Sequence, residues 1–521
     1  MRFPLLLFIP FFLSCGIQKE GLSKLRANQA YVINEDIDLK GRLLVIPKGV
    51  TLVFRGGSFS NGKIEGDETI IEVEGNVRRT LFSQTIELSG TFKADEAFSE
   101  WFGLIPDCEI DNEFRFVKGT DNIKGLKNMF LFPIISLSRG SFFANGGIQM
   151  IDGQIINGNG AILKMANGTL KPHVAFWVNG SEESGPVNNV LIQDLTIIGD
   201  KNENNVITQY AHGIYVGYAK NVTIKNVKTI NNRGDGIYIG GQQKAGGDNM
   251  CPANIILDHI FSFRNHRQGL SVSRCDNLLV EDSEFSETSG TSPCSGLDIE
   301  PLWSVVDKWY NECKHIRFVR CKFRDNDSPV YISDRFFISE EQSQMVYDVS
   351  FSKCEFLNNG ISIYGSNVLK ITDCKFENGG IFLVAKSKIR NINISNINIE
   401  YNSENNGSGF QLSLFNEECR NISLSNVNIK GCGVWGVYIT AGDKDGTVDG
   451  FSLKNVVVSN CSNSVSISNS VKNVVYDNLQ IFNTGVDAKG RIMKSRYGNN
   501  IHLRQLDDEE TRLELNIQPR Q

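Results

Sequence analysis

Short stretches of alternating apolar and polar residues recur along most of the chain. From residue 212 onward, a glycine, an apolar residue, a variable residue and a second apolar residue return together, as in Gly213-Ile214-Tyr215-Val216 and Gly296-Leu297-Asp298-Ile299. A period of two is typical of a strand whose side chains point alternately to opposite faces. The pattern therefore predicts one short strand in each repeat, with its apolar residues on a buried side.

A second alternating segment, such as Asn421–Val427, separates these strands, so that one full repeat takes roughly 20 to 33 residues. One such coil cannot bury its own apolar face. Coils stacked about 4.8 Å apart can, because each strand then hydrogen-bonds to the next coil and the apolar faces form one dry interior. The sequence predicts an all-β fold, a β-solenoid.

Polar and sulfur-containing residues recur in fixed places within the repeat. Asparagine tolerates a left-handed backbone, so the asparagines at equivalent turns are predicted to stack as a ladder: Asn226, Asn396, Asn426, Asn455 and Asn478. Cys321, Cys354 and Cys374 share one inward position. Because the cysteines show no closely paired framework, these are interpreted as buried free thiols.

Three upstream segments carry a family resemblance: Glu100-Trp101-Phe102-Gly103, Leu137–Phe142, and the run Ile156-Asn157-Gly158-Asn159-Gly160-Ala161. With the repeats, they resemble the pectin-lyase-like superfamily, which includes polygalacturonases, pectate lyases and phage tailspikes. The resemblance implies a right-handed parallel β-helix over 100–485, in which a Trp-Phe-Gly segment leads through a helix into the first strands. It also implies action on carbohydrate.

The resemblance specifies the architecture better than the reaction. Gly234-Asp235-Gly236 lacks the second aspartate of the polygalacturonase Gly-Asp-Asp motif. The Asn-Thr-Asp, Gly-His-Gly and Arg-Ile-Lys motifs are also missing from the sequence, as are the pectate lyase patterns. The particular family therefore stays open.

The ends of the chain differ from the repeats. Residues 1–20 contain one early positive charge, the apolar run Leu5–Leu13 and then Ser14-Cys15-Gly16, which resembles a bacterial lipoprotein signal. This predicts an exported protein, lipidated at Cys15 and anchored to the outer membrane on its periplasmic or cell-surface side. The alternative is an ordinary signal peptide cleaved nearby. Residues 21–99 are a further β-segment or extra coils, and 486–521 form a charged cap or tail.

The charge of the chain excludes one class of partner. The formal net charge is −6 and the isoelectric point is about 5.7. Because affinity for nucleic acid depends on an excess of lysine and arginine, binding to DNA or RNA is not expected.

The candidate chemistry lies on the outward side of the first strand, where residues that alternate with buried ones are expected to face solvent. This position, called the outer row, is occupied in successive repeats by Tyr215, Tyr238, Ser271, Asp298, Tyr331, Ser362, Phe382, Gln411, Tyr438 and Ser466. The middle repeats collect acidic and aromatic groups, whereas most later ones carry small or neutral polar groups.

Two carboxylates come from one strand. Asp298 and Glu300 are two residues apart, about 6.6 to 6.8 Å, near the lower end of the separation in inverting glycosidases. Asp235 is two coils earlier, and Arg267, one coil before Asp298, could bind a substrate carboxylate or keep the acids ionised. These four residues are the predicted catalytic group. The alternative is that outward acids merely solvate the sheet.

Six further residues are predicted to contact substrate: His212, Tyr215, Tyr238, His266, Tyr331 and Trp303. The tyrosines would be stacking platforms for sugars or plain strand formers, and the two histidines at turns could be structural. Trp303, in a long insertion, would wall the groove or pin its own loop. Asp334 and Arg335 are interpreted as an ordinary surface pair.

Three functions are compatible with these residues. The first is a glycoside hydrolase without a cofactor, with the carboxylates as acid and base. The second is a lyase acting on a uronic-acid polymer, in which Arg267 is the base or neutralises the substrate carboxylate and the acids hold Ca²⁺. The third is a surface protein that binds glycan without turnover. The predicted partners are a polysaccharide and, through the lipid anchor, a membrane; the sequence does not specify the oligomeric state.

Overall fold

The chain forms a right-handed parallel β-helix, as the repeats and the resemblance predicted. The structure is a computed structural model, and it describes residues 25–166, 174–203, 210–241, 250–304, 309–334, 345–385, 389–402, 407–414, 418–441, 447–467 and 471–482, with the backbone of two later strands. The signal and the lipid-anchor residue Cys15 lie outside the described residues.

One wall of the β-helix, called sheet 1, is built from the first strand of each repeat. Its twelve parallel strands are, in order, Ile148–Gln149, Phe176–Val178, Ile214–Val216, Ile237–Ile239, Gln268–Val272, Ser295–Ile299, Val330–Ile332, Ile361–Ile363, Ile381–Ala385, Phe410–Leu414, Trp435–Ala441 and Asn463–Ile467. The register pairs every member of the outer row with the next one, from Tyr215 to Ser466. The predicted alignment of the repeats is confirmed.

The other walls come from the second segment of each repeat. Their strands are Ala97–Phe98, Ile134–Ser136, Ser141–Asn145, Ile155–Ala166, Val187–Ile198, Ala219–Ile230, Ala253–Asp258, Phe261–Phe263, Cys275–Glu281, Glu284–Ser286, Cys313–Val319, Lys322–Arg324, Val346–Ser352, Glu355–Leu357, Ser366–Thr372, Lys375–Glu377, Ile389–Glu400, Glu418–Lys430, Thr447–Ser459, Val471–Phe482, Leu503–Leu506 and Arg512–Leu515. The backbone of Arg512–Leu515 pairs antiparallel with the last of the parallel strands. This pairing covers an edge that would otherwise be open.

The glycine that precedes most strands of sheet 1 is required by the close stacking of the coils. A Cβ atom on Gly213 would lie 2.7 Å from the carbonyl oxygen of Gly236, and one on Gly236 would lie 2.7 Å from that of Gly269. A carbon that close to a neighbouring carbonyl would force the coils apart. Glycine therefore recurs because no side chain fits between successive coils.

A ladder of asparagines marks the bend between the two outer walls. The Asn426 amide donates to Asn396 Oδ1 at 2.9 Å and accepts from Asn455 Nδ2 at 2.9 Å, and Asn478 extends the ladder by donating to Asn455. Each of these asparagines has a φ between 51° and 58°. The predicted ladder is confirmed for Asn396, Asn426, Asn455 and Asn478. Asn226 is hydrogen-bonded to Asp194 instead, because residues such as His259 and Arg320 separate it from the others.

The interior is filled by columns of side chains in register. Phe285, Phe323, Phe356 and Phe376 stack with ring centroids 4.4 to 5.5 Å apart. Cys321, Cys354 and Cys374 form a buried column of free thiols, as predicted, and Cys354 N–H points to the sulfur of Cys374 at 3.4 Å. Since every coil extends the same columns, the stack behaves as one core.

The N-terminal strands continue this core. A parallel sheet contains Ala30–Ile33, Leu43–Val45, Thr51–Phe54, Gly62–Val73 and Ile86–Lys93, and a small pair joins Ile37–Asp38 to Phe59–Ser60. Phe82 packs against Phe54 at 5.5 Å and against Phe102 of the predicted Trp-Phe-Gly segment at 6.0 Å. Residues 25–93 therefore cover the first coils and share their core.

Two short helices lie at the junction with the N-terminal strands: the 3-10 helix Ser99–Phe102 and the α-helix Ile123–Met129. Two antiparallel pairs lie outside the main walls, Glu109–Ile110 with Phe116–Lys118 and Trp303–Ser304 with Trp309–Tyr310. In the part of the chain that the structure describes, no helix reaches the length and hydropathy needed to span a bilayer.

One position generates a stability prediction. Val368 is paired in register between Asp348 and Asn391, positions that are all left-handed, and its φ is 60°. A β-branched side chain is strained there, at about 1 to 2 kcal/mol. We expect Val368→Asn to raise the free energy of unfolding by about that amount, and Asn426→Ala, the reverse change at another left-handed position, to lower it similarly.

Thermal or urea unfolding measures both changes. Asn428→Ala is the control. Asn428 donates an equivalent 2.8 Å hydrogen bond to Asn398, but its backbone is not in the left-handed conformation. If Asn428→Ala destabilised the protein as much as Asn426→Ala, the left-handed backbone would not be the cause.

Candidate functional site

Sheet 1 carries a notch between two columns of aromatic rings. Along the outer row, Tyr238 is followed by Ser271, Asp298 and then Tyr331 in consecutive coils. Three coil steps of about 4.8 Å separate the two tyrosines by about 14 Å. The notch is therefore the space between Tyr238 and Tyr331, and its floor is made of two small polar side chains.

The first wall of the notch is an aromatic column. Trp177 and Tyr215 have ring centroids 4.7 Å apart, and Tyr215 lies parallel to Tyr238 at 5.4 Å and 7°. His212 also stacks on Tyr238, at 4.8 Å. Because these rings cover one another's faces, most of them cannot stack on a sugar as the sequence predicted. A sugar would contact the edges of the rings and the face of the last ring in the column.

Trp177 was not predicted, although the sequence contains its signal. Phe176 and Val178 are fully buried on either side of a partly exposed Trp177, the same alternation as in the later repeats. This repeat lacks the glycine of the motif, so the full motif begins only at residue 212.

The second wall is shorter. Tyr331 and Tyr364 stack at 5.7 Å and 21°, and both are partly exposed. Burial, with the neighbouring tyrosine, raises the pKa of Tyr331; burial also raises the pKa of Tyr238 to about 12. Both hydroxyls are therefore protonated at neutral pH. The Tyr238 hydroxyl is hydrogen-bonded to Ser273 Oγ at 2.6 Å, which fixes its end of the notch.

Asp298 lies on the floor and is held by Gln268. Gln268 Nε2 donates to Asp298 Oδ2 at 3.1 Å, while the backbone N–H of Gln268 donates to Asp235 Oδ1 at 3.1 Å. Asp298 is only 3% exposed and Gln268 is fully buried. One glutamine therefore ties together carboxylates from two coils.

Asp235 differs from the prediction in its exposure. It has no exposed surface, and its carboxylate accepts from Arg267 Nη1 at 3.1 and 3.4 Å. His212, on the neighbouring coil, accepts the Asp235 backbone N–H at its Nδ1, at 3.1 Å. The expectation that Asp235 faces solvent is wrong, because side chains of the closely spaced neighbouring coils cover it. Asp235 orients Arg267 and Gln268 from beneath.

The guanidinium of Arg267 interacts with all three acids of the site. Burial alone would lower its pKa, but the carboxylates of Asp235, Asp298 and Glu300 raise the pKa of this guanidinium above its usual value. The Arg267 side chain keeps 18% of its surface exposed. Glu300, whose N–H continues the strand ladder to Val272, is partly exposed at the edge of the notch. The structure thus brings the four predicted catalytic residues together.

Several buried polar atoms around the floor have no hydrogen-bond partner among the residues that the structure describes. They are Gln268 Oε1, Ser271 Oγ, Ser333 Oγ and Arg267 Nε. Ser333 follows the Tyr331 strand, one coil beyond Glu300. An unpaired buried polar group costs about 1 to 3 kcal/mol. Such a concentration of unpaired atoms beside Asp298 is typical of a site whose partners come from a ligand.

Two predicted contact residues are placed differently. His266 Nε2 is hydrogen-bonded to Thr291 Oγ1 at 2.9 Å, so its ring braces the following loop. Burial lowers the pKa of His266, which favours the neutral ring. For Trp303 the structure describes only the backbone, in its short pair with Tyr310. Its side chain lies outside the described residues.

The predicted surface pair is also corrected. Asp334 is 2% exposed, and Arg335 lies outside the described residues. Asp334 lies two residues beyond the end of the strand Val330–Ile332, and its side chain is buried like that of the inward Ile332.

The described residues contain one close group of potential metal ligands, and it is remote in the fold from the notch. Asp258, His259 and Asp282 have ligand atoms within 4.8 Å of one another on an outer wall. Asp282 already accepts two hydrogen bonds from Arg320, at 2.6 and 2.7 Å. The acids of the notch do not form such a group among the described residues.

Burial raises the pKa of Asp334 to about 6, well above the usual aspartate value, and this generates a prediction on pH. Below about pH 3 the carboxyl is mostly protonated in both the folded and the unfolded chain. As the pH rises to 6 and beyond, the unfolded chain ionises more readily, so folding loses about 2 to 3 kcal/mol.

Asp334→Asn removes that loss. We expect this variant to gain stability relative to the wild type between pH 4 and pH 7, as measured by melting temperatures across the range. A stability difference that does not change with pH would contradict the burial of an ionisable group at this position.

Known proteins share this architecture. A family described as a right-handed β-helix region matches residues 188–342. The SPbeta prophage-derived uncharacterized protein YorA of Bacillus subtilis (strain 168) is 27% identical over 217 residues, covering 37% of this chain and 37% of YorA. Depolymerase 1, capsule KN3-specific, of Klebsiella phage KN3-1 is 25% identical over 235 residues, covering 43% of this chain and 26% of the depolymerase.

A solved structure is similar over a longer stretch. The pre-mature bacteriophage phi29 gene product 12 superposes with a TM-score of 0.59 at 14% identity, covering 74% of this chain and 52% of that protein. The matches span well under half of both curated relatives, and the structural likeness concerns the fold alone. The chain is a right-handed parallel β-helix protein.

Proposed function

We propose that this protein is a polysaccharide-degrading enzyme, and specifically a glycoside hydrolase that uses Asp298 and Glu300. The observation that carries the proposal is the position of Asp298, on the floor of a notch between Tyr238 and Tyr331 and hydrogen-bonded to Gln268. Carboxylates on adjoining outward positions of one strand have the spacing that an acid and a base need.

The two acids would divide the work of hydrolysis. Asp298 accepts an amide hydrogen bond, which suits a carboxylate that takes a proton from the attacking water. Glu300, partly exposed at the rim, would donate its proton to the glycosidic oxygen of the leaving sugar. Two residues along a strand span about 6.6 to 6.8 Å, which leaves room for a water and favours an inverting reaction.

The pairing of Arg267 favours hydrolysis over elimination. In the lyase alternative, Arg267 acts as the base or neutralises a substrate carboxylate. Its Nη1 is already paired with the Asp235 carboxylate, and the surrounding acids raise its pKa further above neutrality. A guanidinium held in that state neither accepts a proton nor presents an unpaired positive charge.

A relative gives independent support for a polysaccharide substrate. The phage protein that is 25% identical over 43% of this chain is named as a capsule-specific depolymerase. A capsule is a polysaccharide layer, so the name of this relative favours a polysaccharide substrate.

Substitution of the two acids tests the proposal. We expect Asp298→Asn and Glu300→Gln each to lower kcat by about 100-fold or more, because acid and base catalysis contribute about that much. Release of reducing ends from a panel of polysaccharides measures the effect, with melting temperatures as the check on folding. Asp67→Asn and Glu65→Gln, at exposed acids on the N-terminal strands, are the matched controls.

Other results would redirect the assignment. Full activity in both acid variants would rule out this site, and unsaturated products that absorb in the ultraviolet would identify a lyase. Binding of glycans by the wild type without turnover would favour a surface glycan-binding protein.

We also propose that the protein is exported and held at the outer membrane by a lipid on Cys15. In cells that process lipoproteins, Cys15→Ser should lose both fatty-acid labelling and membrane association, because the thiol is the acceptor of the lipid. Cell fractionation and labelling measure this, and Cys251→Ser, a change at a partly exposed cysteine within the β-helix, is the control. Equal labelling of the wild type and Cys15→Ser would contradict the anchor.

A further inference from the structure

We propose a second binding site for the polysaccharide, on sheet 1 near the C-terminal end of the β-helix. The site is formed by the side chains of Trp435 and Tyr438 and is called the aromatic platform. It holds the same polysaccharide chain that enters the notch, at a distance that only long chains can bridge. The proposal rests on the proposed function, because the notch is taken as the place of cleavage.

The two rings of the aromatic platform come from one strand. Trp435 and Tyr438 are stacked with ring centroids 5.3 Å apart and ring planes inclined by 16°. Both side chains are partly exposed, whereas Val437 and Ile439 of the same strand are buried. Val434, directly before Trp435, is 41% exposed. Part of an apolar, aromatic surface is therefore accessible on the outside of sheet 1.

The neighbouring coil fixes the position of Trp435. A Cβ on Gly436 would lie 2.3 Å from Val458 Cγ1, so Gly436 faces the interior and Trp435 before it faces outward. Asn463, on the next coil, donates its backbone N–H and its side-chain amide to the carbonyl oxygen of Val434, at 3.1 and 2.8 Å. Rings that are held in place before binding lose little freedom when a ligand arrives.

A track of uncharged side chains connects the notch to the aromatic platform. It consists of the outer row from Tyr331 to Ser466 and of the row beside it, which contains Ser333, Tyr364, Val384, Ser413 and Thr440. None of these described side chains is charged. The outer walls of the same coils do carry charges, including the ion pairs Lys430–Glu400 at 2.8 Å and Lys375–Glu377 at 3.2 Å. The lack of charge is therefore a property of this face of sheet 1 and not of the coils as a whole.

Such a surface is typical of a binding site. Depletion of charged residues together with enrichment of aromatic ones marks the centre of interfaces. Most of the other side chains of the track are hydroxyls or an amide, which both donate to and accept from the hydroxyls of a sugar. The track begins at Tyr331, the second wall of the notch, and runs along the stack of coils. A polymer that leaves the notch on this side therefore lies along the track.

The spacing of the coils sets the length of chain that is required. Tyr438 is five coil steps beyond Asp298 in the outer row, or about 24 Å. A sugar unit in an extended chain is about as long as one coil step, so a chain of about six units bridges the two sites. Once one site is occupied, binding at the other becomes intramolecular, which strengthens the binding of long chains without any new contact in the notch.

Chain length tests the proposal. The probes are xylan, β-glucan, pectin and hyaluronan, each as the intact polymer and as fragments of about four units or fewer, which are too short to bridge the two sites. For any polymer that the wild type cleaves, we expect Trp435→Ala to lower the ratio of kcat/KM on the polymer to kcat/KM on its fragments by about tenfold. Affinity electrophoresis in gels that contain the intact polymers should show a similar loss of binding.

Two further variants separate binding from folding. Trp435→Leu keeps an apolar side chain but has no flat ring, and it should behave like Trp435→Ala. Tyr347→Ala removes a ring that is 38% exposed on an outer wall, and it should change neither the ratio nor the binding. Melting temperatures show whether each variant is folded.

The outcomes separate this site from the proposed function. If the ratio is unchanged in the folded Trp435 variants, the aromatic platform is ruled out while the enzyme assignment stands. If no polymer is cleaved but Trp435→Leu weakens the binding of one, the enzyme assignment fails and the aromatic platform stands. If the wild type binds none of the polymers, a polysaccharide site on this surface is contradicted.

Discussion

The hydrogen-bonded stacking of one coil on the next is the constraint on which the rest of this protein depends. It fixes the spacing of coils at about 4.8 Å and places each residue directly beside its counterpart in the neighbouring coil. The glycine that precedes most strands of sheet 1 follows from this closeness, since a Cβ at Gly213 would lie 2.7 Å from the next carbonyl oxygen. The phenylalanine, thiol and asparagine columns follow from the same constraint, because identical positions must pack against each other.

The notch results from a change of side chains within this regular stack. Where aromatic residues succeed each other in the outer row, as from Trp177 to Tyr238, their rings fill the surface. Where Ser271 and Asp298 follow, the backbone continues in register while the side chains become short, and both side chains are almost completely buried. The β-helix therefore builds a site by changing side-chain size from coil to coil, with no special loop conformation in its floor.

The charged groups of the notch are linked by ion pairs and hydrogen bonds, and electrostatics explains why. A buried carboxylate such as Asp235 is stable only when paired and hydrogen-bonded, and Arg267 with the Gln268 backbone supplies both. Because Arg267 is paired with Asp235, the cation that an acidic substrate would need already has a partner. Gln268 supports Asp298, and several neighbouring polar atoms have no partner among the described residues.

The sequence by itself determined the fold, the register of the outer row and the buried thiol column, because alternation and repeat length directly reflect a periodic backbone. It also brought Asp235, Arg267, Asp298 and Glu300 to neighbouring coils. Only the tertiary structure decided that Asp235 is buried beneath Arg267, that Gln268 holds Asp298, that the tyrosine faces are covered and that His266 braces a loop. These facts depend on side-chain rotamers and on contacts between coils, which a one-dimensional pattern of apolar and polar residues does not contain.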